Sequence, residues 1–300
     1  MKAILIGIVA SLFFASTFIL NRSMDLNGGS WIWSASLRFF FMVPFLLVIV
    51  GIRGKLMPLF AEMKERPIAW LLWSFIGFGL FYTPITFAAA YGPGWLVAGT
   101  WQVTIIAGSL LVPLLTKNAE IPYKELRFSL IILLGVIVLQ VQQATVEHIS
   151  TMLLSSIPVL VAAFAYPLGN RKMMQICDGR LDTFQRVLGM TIASLPYWVI
   201  LSVFGLVFHG APTNSQVAQS FLVAVCAGII ATVLFFYATD IARHSSKQLA
   251  AVESTQAGEI VFAVIGEVIF LEALFPTGWS SVGLSLIVLG MILHSIYTKA

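Results

Sequence analysis

Long apolar runs, separated by short polar or Gly/Pro-containing segments, dominate the chain from one end to the other. A helix needs about 20 mostly apolar residues to cross the hydrocarbon core of a bilayer, and the runs are close to that length. They predict ten membrane-spanning helices at residues 3–20, 31–52, 68–91, 95–115, 127–143, 151–170, 184–208, 216–240, 248–271 and 279–297. The pattern therefore predicts an all-α integral membrane protein.

The composition supports a membrane location. Hydrophobic residues make up 59% of the 300 residues and charged residues only 10%, whereas soluble domains carry about 25% charged residues. Ten spans occupy most of these residues, so we expect no separate soluble domain. The net charge of +4 is small, and we expect no nucleic-acid partner.

Basic residues are concentrated in every second connector between the predicted spans, and Arg22 is the one basic residue in the first connector. The basic connectors contain Arg53, Lys55, Lys64, Arg66, Lys117, Lys124, Arg127, Arg171, Lys172, Arg180, Arg243 and Lys247. The connectors at 92–94, 145–150, 210–215 and 272–278 contain no lysine or arginine. By the positive-inside rule, this alternation predicts an even number of spans with both termini in the cytoplasm.

Short motifs recur between the two halves of the chain. Asn21-Arg22-Ser23-Met24 ends the first predicted span, and Asn170-Arg171-Lys172-Met173 ends the sixth, 149 positions later. Phe81-Tyr82 similarly matches Phe236-Tyr237. The matches predict two five-helix repeats, 1–148 and 149–300, within one membrane-embedded unit. Because five is an odd number, the two repeats must be inverted, which is a transporter architecture.

Several segments resemble the drug/metabolite transporter superfamily over essentially the whole chain. They are Leu37-Arg38-Phe39-Phe40, the stretch 87–102 and the stretch 252–259. The resemblance implies ten helices in two inverted repeats, and it points to a bacterial subgroup described as multidrug resistance efflux transporters. The four-helix relatives of this superfamily use a carboxylate in their first helix for proton exchange. Here the first span, 3–20, contains no acidic residue, so a proton-coupling carboxylate must lie elsewhere.

The ninth predicted span contains three of the thirteen acidic residues, and the other ten, which include Glu62 and Asp240, are expected to be solvated. At 100° per residue, Glu253, Glu259, Glu267 and Gln256 fall within an arc of about 120°. An ionised carboxylate near the bilayer centre costs on the order of 2.5–3.5 kcal/mol, so this polar stripe must face a cavity or another helix.

Depth in the membrane assigns different roles to these acidic residues. Glu259 lies near the middle of the span and is predicted to bind a proton or a cation, with Gln256 one turn away. Glu253 lies in the inner half, where it joins this site or simply reaches the cytoplasmic interface. Glu267 and Arg38 lie at a similar outer depth, and we predict a structural ion pair between them because neither charge is stable alone in lipid.

Aromatic and amide side chains are the other candidates for the substrate site. Trp101 and Gln102 lie inside the fourth span, the counterpart of the ninth, and Tyr82 and Tyr237 lie in the third and eighth spans. Aromatic faces bind organic cations with about 0.5–2 kcal/mol each. The alternative is that tryptophan and tyrosine residues anchor the helices at the membrane interface.

Together these features predict a secondary active transporter of the bacterial cytoplasmic membrane. It exports a small organic solute, cationic or drug-like, in exchange for protons, by alternating access around Glu259. The alternative is a transporter of a neutral or zwitterionic metabolite, such as an amino acid, nucleobase or sugar, in which Glu259 binds the substrate or is structural. An enzyme is disfavoured because no metal-binding or nucleophile–base pattern is evident. We expect no cofactor or metal ion, and ten helices in one chain can work as a monomer.

Overall fold

The computed structural model of the protein describes residues 2–115, 123–146 and 148–299. Lys117 and part of the predicted connector 145–150 lie outside them. Every regular element in the described residues is helical, and no strand occurs among them. The helices are α1 (Lys2–Leu26), α2 (Trp31–Ile52), α3 (Leu56–Glu65), α4 (Pro67–Ala89), α5 (Gly94–Trp101), α6 (Val103–Leu110), α7 (Val112–Leu115), α8 (Tyr123–Val146), α9 (Ile149–Cys177), α10 (Thr183–His209), α11 (Asn214–Ala242), α12 (246–270) and α13 (Trp279–Lys299).

Among the described residues, seven helices are long and apolar enough to cross a membrane, namely α1, α2, α4, α9, α10, α11 and α12. Shorter apolar segments, Leu130–Gln143 and Trp279–Leu293, lie in α8 and α13, where the fifth and tenth spans are predicted. The fourth predicted span is divided among α5, α6 and α7. The all-helical prediction is confirmed, whereas the ten crossings and the inverted repeats stay predictions.

Three of the long helices are not regular throughout. π-helical turns interrupt α4 at Phe75–Gly79 and α11 at Ala224–Ala231, and a 3-10 turn interrupts α12 at Ser254–Ala257. Irregular backbone is tolerated at membrane depth only where the protein covers it. The polar stripe predicted on α12 rests on a constant rotation of 100° per residue. This rotation does not hold across the 3-10 turn at 254–257.

Aromatic side chains fill the centre of the bundle, while the periphery stays apolar. Phe39 of α2 stacks on Trp198 of α10 with 4.3 Å between ring centroids, and its ring also contacts Tyr82 of α4. On the outer face of α10, Val207 and Phe208 are 70% and 72% exposed. An extended apolar surface of this kind is typical of helices that face lipid.

Two glycines allow α4 and α9 to pack at very short range. A methyl group added at Gly169 would overlap the backbone of Gly77 and lie 3.0 Å from the carbonyl oxygen of Trp73. At Gly77 an added methyl would instead meet the flexible end of Met190 at 3.1 Å and the Gly169 Cα at 3.3 Å. Small residues at a helix contact allow the backbones to approach closely.

We expect Gly169→Ala to be the more destabilising of the two alanine substitutions. Overpacking costs about 1–3 kcal/mol when the surroundings cannot move, and the atoms that oppose a methyl at Gly169 are backbone. Gly77→Ala is expected to cost less because the Met190 side chain can turn away. The midpoint of thermal unfolding in detergent measures the difference, and equal losses for the two variants would contradict this packing.

Candidate functional site

Side chains from five helices line one small cavity inside the bundle. It contains Glu259 and Gln256 of α12 together with an aromatic wall. The remaining lining residues are Phe14, Thr17 and Phe18 of α1, Phe81 and Ile85 of α4, Trp101 of α5 and Tyr166 of α9. The structure thus brings together three of the predicted site residues, Glu259, Gln256 and Trp101.

Close packing of α1 against α12 positions the carboxylate in this cavity. The last α-helical part of α12 begins at Gly258, where an added Cβ would lie 2.5 Å from the Ser11 hydroxyl oxygen. Because Gly258 has no side chain, α1 approaches this turn and covers the next residue, Glu259. The aromatic residues of α1 then form one wall of the cavity.

Glu259 is a buried carboxylate without a polar partner. Its side chain is 2% exposed, and no hydrogen bond or ion pair reaches it within the described residues. The neighbouring rings of Phe81, Trp101 and Tyr166 lie 4.6–5.7 Å apart between centroids. The hydroxyl of Tyr166 is likewise buried without a hydrogen-bond partner. A carboxylate against aromatic faces is suited to bind a proton or an organic cation.

The cavity is closed to organic solutes in this conformation. Its volume is about 10 Å³, close to the minimum that holds one water molecule. A substrate can therefore reach Glu259 only if the surrounding helices move apart.

Glu253 is not part of this cavity, because it pairs with a basic residue. Arg171 of α9 donates from Nε to Oε1 over 2.9 Å and from Nη2 to Oε2 over 2.6 Å. Its Nη1 also donates to the Gly108 carbonyl oxygen of α6 over 2.6 Å. The prediction that Glu253 contributes to the substrate site is therefore corrected, since its charge is neutralised by a buried bidentate ion pair.

A larger pocket of about 170 Å³ adjoins the Arg171–Glu253 pair. Arg171 lines that pocket, and Glu253 precedes Glu259 by six residues on α12, or about 9 Å of helix. The other lining residues are Val112, Leu115, Met174, Gln175, Asp178, Arg243, His244 and Leu249. This pocket lies at the end of the bundle that is predicted to face the cytoplasm.

The predicted ion pair between Arg38 and Glu267 is wrong. Glu267 Oε1 accepts the backbone N–H of Gly94 over 2.6 Å, and Oε2 accepts that of Trp95 over 3.4 Å. The carboxylate therefore caps the positive end of α5. Arg38 instead lies over the ring of Tyr82, 4.0 Å from its centroid. A similar depth along two helices did not determine which way the side chains face.

The other predicted site residues lie outside the cavity lining. Gln102 is buried and donates to the Ala98 carbonyl oxygen of its own helical segment over 2.9 Å. The hydroxyl of Tyr82 lies 3.3 Å from the Asn21 side-chain nitrogen. Tyr237 is 42% exposed and lies on the rim of a groove that also contains Arg186. Tyr82 borders the cavity only through its contact with Phe81, 5.9 Å between centroids.

Several apolar residues of the cavity were not predicted from the sequence. They are the phenylalanines of α1, together with Phe81 and Ile85 of α4. Apolar side chains in a membrane helix look alike in sequence whether they face lipid, the core or a cavity. The prediction that Asp240 and Glu62 are ordinary solvated charges is wrong, because both pair with arginine side chains. Asp240 accepts from Arg186 Nη1 over 2.5 Å and from the Thr183 hydroxyl over 2.9 Å.

Charged residues also connect the ends of helices outside the spans. Arg180 donates to both carboxylate oxygens of Glu62, over 2.7 and 3.1 Å, and these hydrogen bonds lower the pKa of Glu62. Burial alone would raise the pKa of Asp182, but hydrogen bonds from Lys55 and the Gln185 backbone, with the nearby charge of Arg53, outweigh it and lower that pKa. These contacts join α3 and the end of α2 to the start of α10.

The described residues contain no group of three His, Cys, Asp or Glu side chains that could hold a metal ion. The polar groups of the cavity are the Glu259 carboxylate and the Gln256 amide, which lie beside aromatic rings.

Comparison with known proteins gives a family and close relatives. The family described as "EmrE: Putative multidrug resistance efflux transporter" matches residues 1–300. The chain is 58% identical over 310 residues to "Uncharacterized protein YjlA" of Bacillus subtilis (strain 168), which covers 100% of this chain and 96% of that protein. It is 53% identical over 268 residues to "Uncharacterized 42.1 kDa protein in intracellular alkaline protease 3'region" of Shouchella clausii, covering 86% of this chain and 70% of that protein.

A solved structure is similar in fold. A crystal structure of a protein with 15% sequence identity superposes with a TM-score of 0.68 over 99% of this chain and 98% of that chain. At this low identity the likeness concerns the fold alone.

The lowered pKa of Glu62 predicts how stability changes with pH. Because the folded state holds this carboxylate ionised below the ordinary pKa of 4.5, the unfolded state binds more protons in that range. The stabilisation is thus complete above about pH 4.5 and is lost as the pH falls through the lower folded-state pKa. We expect Glu62→Gln to flatten the acid side of a plot of thermal midpoint against pH.

Glu65→Gln is the matched control for Glu62→Gln. Glu65 lies on the same helix, but its side chain is exposed. Its carboxylate makes only a long contact of 4.0 Å with the Nε atom of Arg66, which is also exposed. This variant should keep the wild-type dependence on pH. The explanation fails if both variants flatten the curve equally.

Proposed function

The chain belongs to the EmrE efflux-transporter family and is a multi-pass membrane protein, and from that premise we propose that it exports small organic solutes bearing a positively charged group in exchange for protons. Glu259 is the residue at which the two ligands compete. The membrane in question is the bacterial cytoplasmic membrane. Proton coupling, the substrate class and the role of Glu259 are the parts of this proposal that go beyond the family.

One observation carries the proposal: Glu259 is buried in an aromatic cavity without a partner in the described part of the chain. Three other buried residues described above, Glu253, Glu267 and Glu62, also carry carboxylates. Each of these carboxylates has a partner within the protein. An unpaired ionised carboxylate is costly in an apolar interior, so Glu259 must take up either a proton or a cation. The absence of a protein partner leaves it free to exchange one for the other.

This competition couples the two fluxes. With a proton bound, Glu259 is neutral and the empty transporter can change conformation; with a cation bound, the charges also cancel. The ionised, unoccupied form has the highest energy in the closed cavity, so the transporter does not readily return without one ligand. Gln256 lines the same cavity and can hydrogen-bond the carboxyl group or the substrate.

We further propose that the Arg171–Glu253 pair is the inner gate. It joins α9, α6 and α12 at one point; Arg171 lines the 170 Å³ pocket, and Glu253 lies six residues before Glu259 on α12. Breaking a buried pair by removing one partner costs about 3–5 kcal/mol. Opening toward the cytoplasm therefore needs water or a moving side chain to replace these hydrogen bonds.

The main test of the proposed function is Glu259→Gln. We expect this variant, reconstituted in proteoliposomes on solid-supported membranes, to lose the pH-dependent currents evoked by aromatic amines by at least about 10-fold, because glutamine cannot bind a proton or neutralise a cation. The exposed Glu65→Gln serves as the control for reconstitution and general charge effects. Amine-evoked currents that persist in Glu259→Gln would overturn the role of this residue.

The gate can be tested by chemical labelling from the cytoplasmic side. Thr17 lines the cavity and is 4% exposed, so Thr17→Cys in a protein without Cys177 and Cys226 reports access. We expect Arg171→Gln to raise the rate of labelling by a membrane-impermeant maleimide in inside-out vesicles by at least about 10-fold, because it shifts the population toward open states.

Arg180→Gln is the matched control for the gate. It removes the partly exposed pair with Glu62. Neither residue lines the 170 Å³ pocket or the Glu259 cavity. This variant should leave the labelling of Thr17→Cys near its original rate. If Arg171→Gln labels no faster than Arg180→Gln, the buried pair is not the gate.

A further inference from the structure

Arg38 is a second buried charge without a polar partner. Its side chain is 2% exposed, and its Nε and Nη1 atoms have no hydrogen-bond partner in the described part of the chain. The guanidinium lies over two aromatic faces, 4.0 Å from the centroid of the Tyr82 ring and 5.5 Å from that of the Phe39 ring. A cation–π contact offsets only part of the cost of burying a guanidinium.

Comparison with Arg186 shows what Arg38 lacks. Arg186 also lies over an aromatic ring, 4.7 Å from the centroid of Phe236, but its Nη1 donates to the Asp240 carboxylate over 2.5 Å. The spacing that relates Phe81 to Phe236 is 155 positions. By the same spacing, the counterpart of Asp240 in the first half of the chain is Ile85.

Ile85 lines the Glu259 cavity. The position that corresponds to the carboxylate partner of Arg186 is therefore apolar and faces the space where a substrate binds under the proposed function. Within the described part of the chain, no acidic side chain hydrogen-bonds to Arg38 Nε or Nη1, so a bound ligand can supply a carboxylate. A guanidinium presents several N–H donors in a plane, which matches the two oxygens of a carboxylate.

Both unpaired charges lie around one aromatic cluster. Phe81 contacts Tyr82, the ring below Arg38, and it also contacts Trp101 and Tyr166 in the wall around Glu259. The Tyr166 hydroxyl is buried without a hydrogen-bond partner in the described part of the chain. Aromatic side chains thus connect the surroundings of the two charges.

We propose that Arg38 binds the carboxylate of a zwitterionic substrate whose ammonium group binds Glu259. This inference rests on the proposed function and specifies its substrate class as small amino acids with an aromatic or apolar side chain. A simple cation would neutralise Glu259 but leave Arg38 unpaired, and a simple anion would do the reverse. Only a ligand with both charges satisfies both groups, and its apolar part fits the aromatic wall.

Three probes with the same ring and different charges test the proposal: phenylalanine, phenethylamine and 3-phenylpropionate. In wild-type proteoliposomes we expect phenylalanine to be transported faster than the other two. Arg38→Gln should lower the ratio of phenylalanine to phenethylamine transport at least about 10-fold, the effect of losing one charge-assisted hydrogen bond. Arg38→Lys should recover part of this ratio because it keeps the charge.

Arg186→Gln is the control for the loss of a buried arginine. It removes a guanidinium in a similar aromatic setting that has its own carboxylate partner. Whatever it does to total transport, we expect it to leave the phenylalanine to phenethylamine ratio unchanged. An equal change of this ratio in Arg38→Gln and Arg186→Gln would overturn the carboxylate site.

A binding measurement on the wild-type protein covers the case in which Arg38→Gln does not fold. Phenylalanine should raise the midpoint of thermal unfolding more than phenethylamine or 3-phenylpropionate at equal concentration. If phenethylamine stabilises the protein as well or better, and its currents disappear in Glu259→Gln, the carboxylate site is wrong while the proposed function stands. If no probe binds or is transported by the wild type, both proposals fail.

Discussion

A charge in an apolar interior needs a partner, and this constraint organises the whole bundle. Arg171 and Glu253 join α9 to α12, and Arg186 and Asp240 join α10 to α11. The first pair links helices that are far apart in the sequence, and the second links two consecutive helices. Because removing one partner leaves the other charge bare, these pairs specify which helices are neighbours even where they add little net stability.

The two carboxylates nearest the outer end of α12 meet the constraint in different ways. Glu267 uses the backbone N–H groups at the start of α5, so its charge is held by a helix terminus instead of a side chain. An added Cβ at Gly94 would lie 2.6 Å from the Glu267 Oε1 atom, so this cap requires glycine. Glu259, eight residues earlier, has no such support within the described residues.

The sequence predicted the positions of the helices because bilayer thickness fixes their length. It also named Glu259, Gln256 and Trp101 as candidate site residues, because polar and aromatic side chains inside predicted spans stand out from an apolar background, and the three line one cavity. It could not predict the partners of Arg38, Glu253 and Glu267. The depth of a residue does not show toward which neighbouring helix its side chain points. The rule that basic residues gather at the cytoplasmic end does not distinguish a buried arginine such as Arg171 from an exposed one.

Helix interruptions lie next to the cavity on two sides. The break between α5 and α6 falls at Gln102, beside Trp101, and the 3-10 turn 254–257 of α12 contains Gln256 and ends two residues before Glu259. In a membrane such breaks persist only where protein covers the backbone. These segments can bend without breaking a regular helix, whereas long unbroken helices resist bending. A cavity too small for a solute can therefore open where its own walls are least regular, and under the proposed function this opening would couple ligand binding at Glu259 to helix movement.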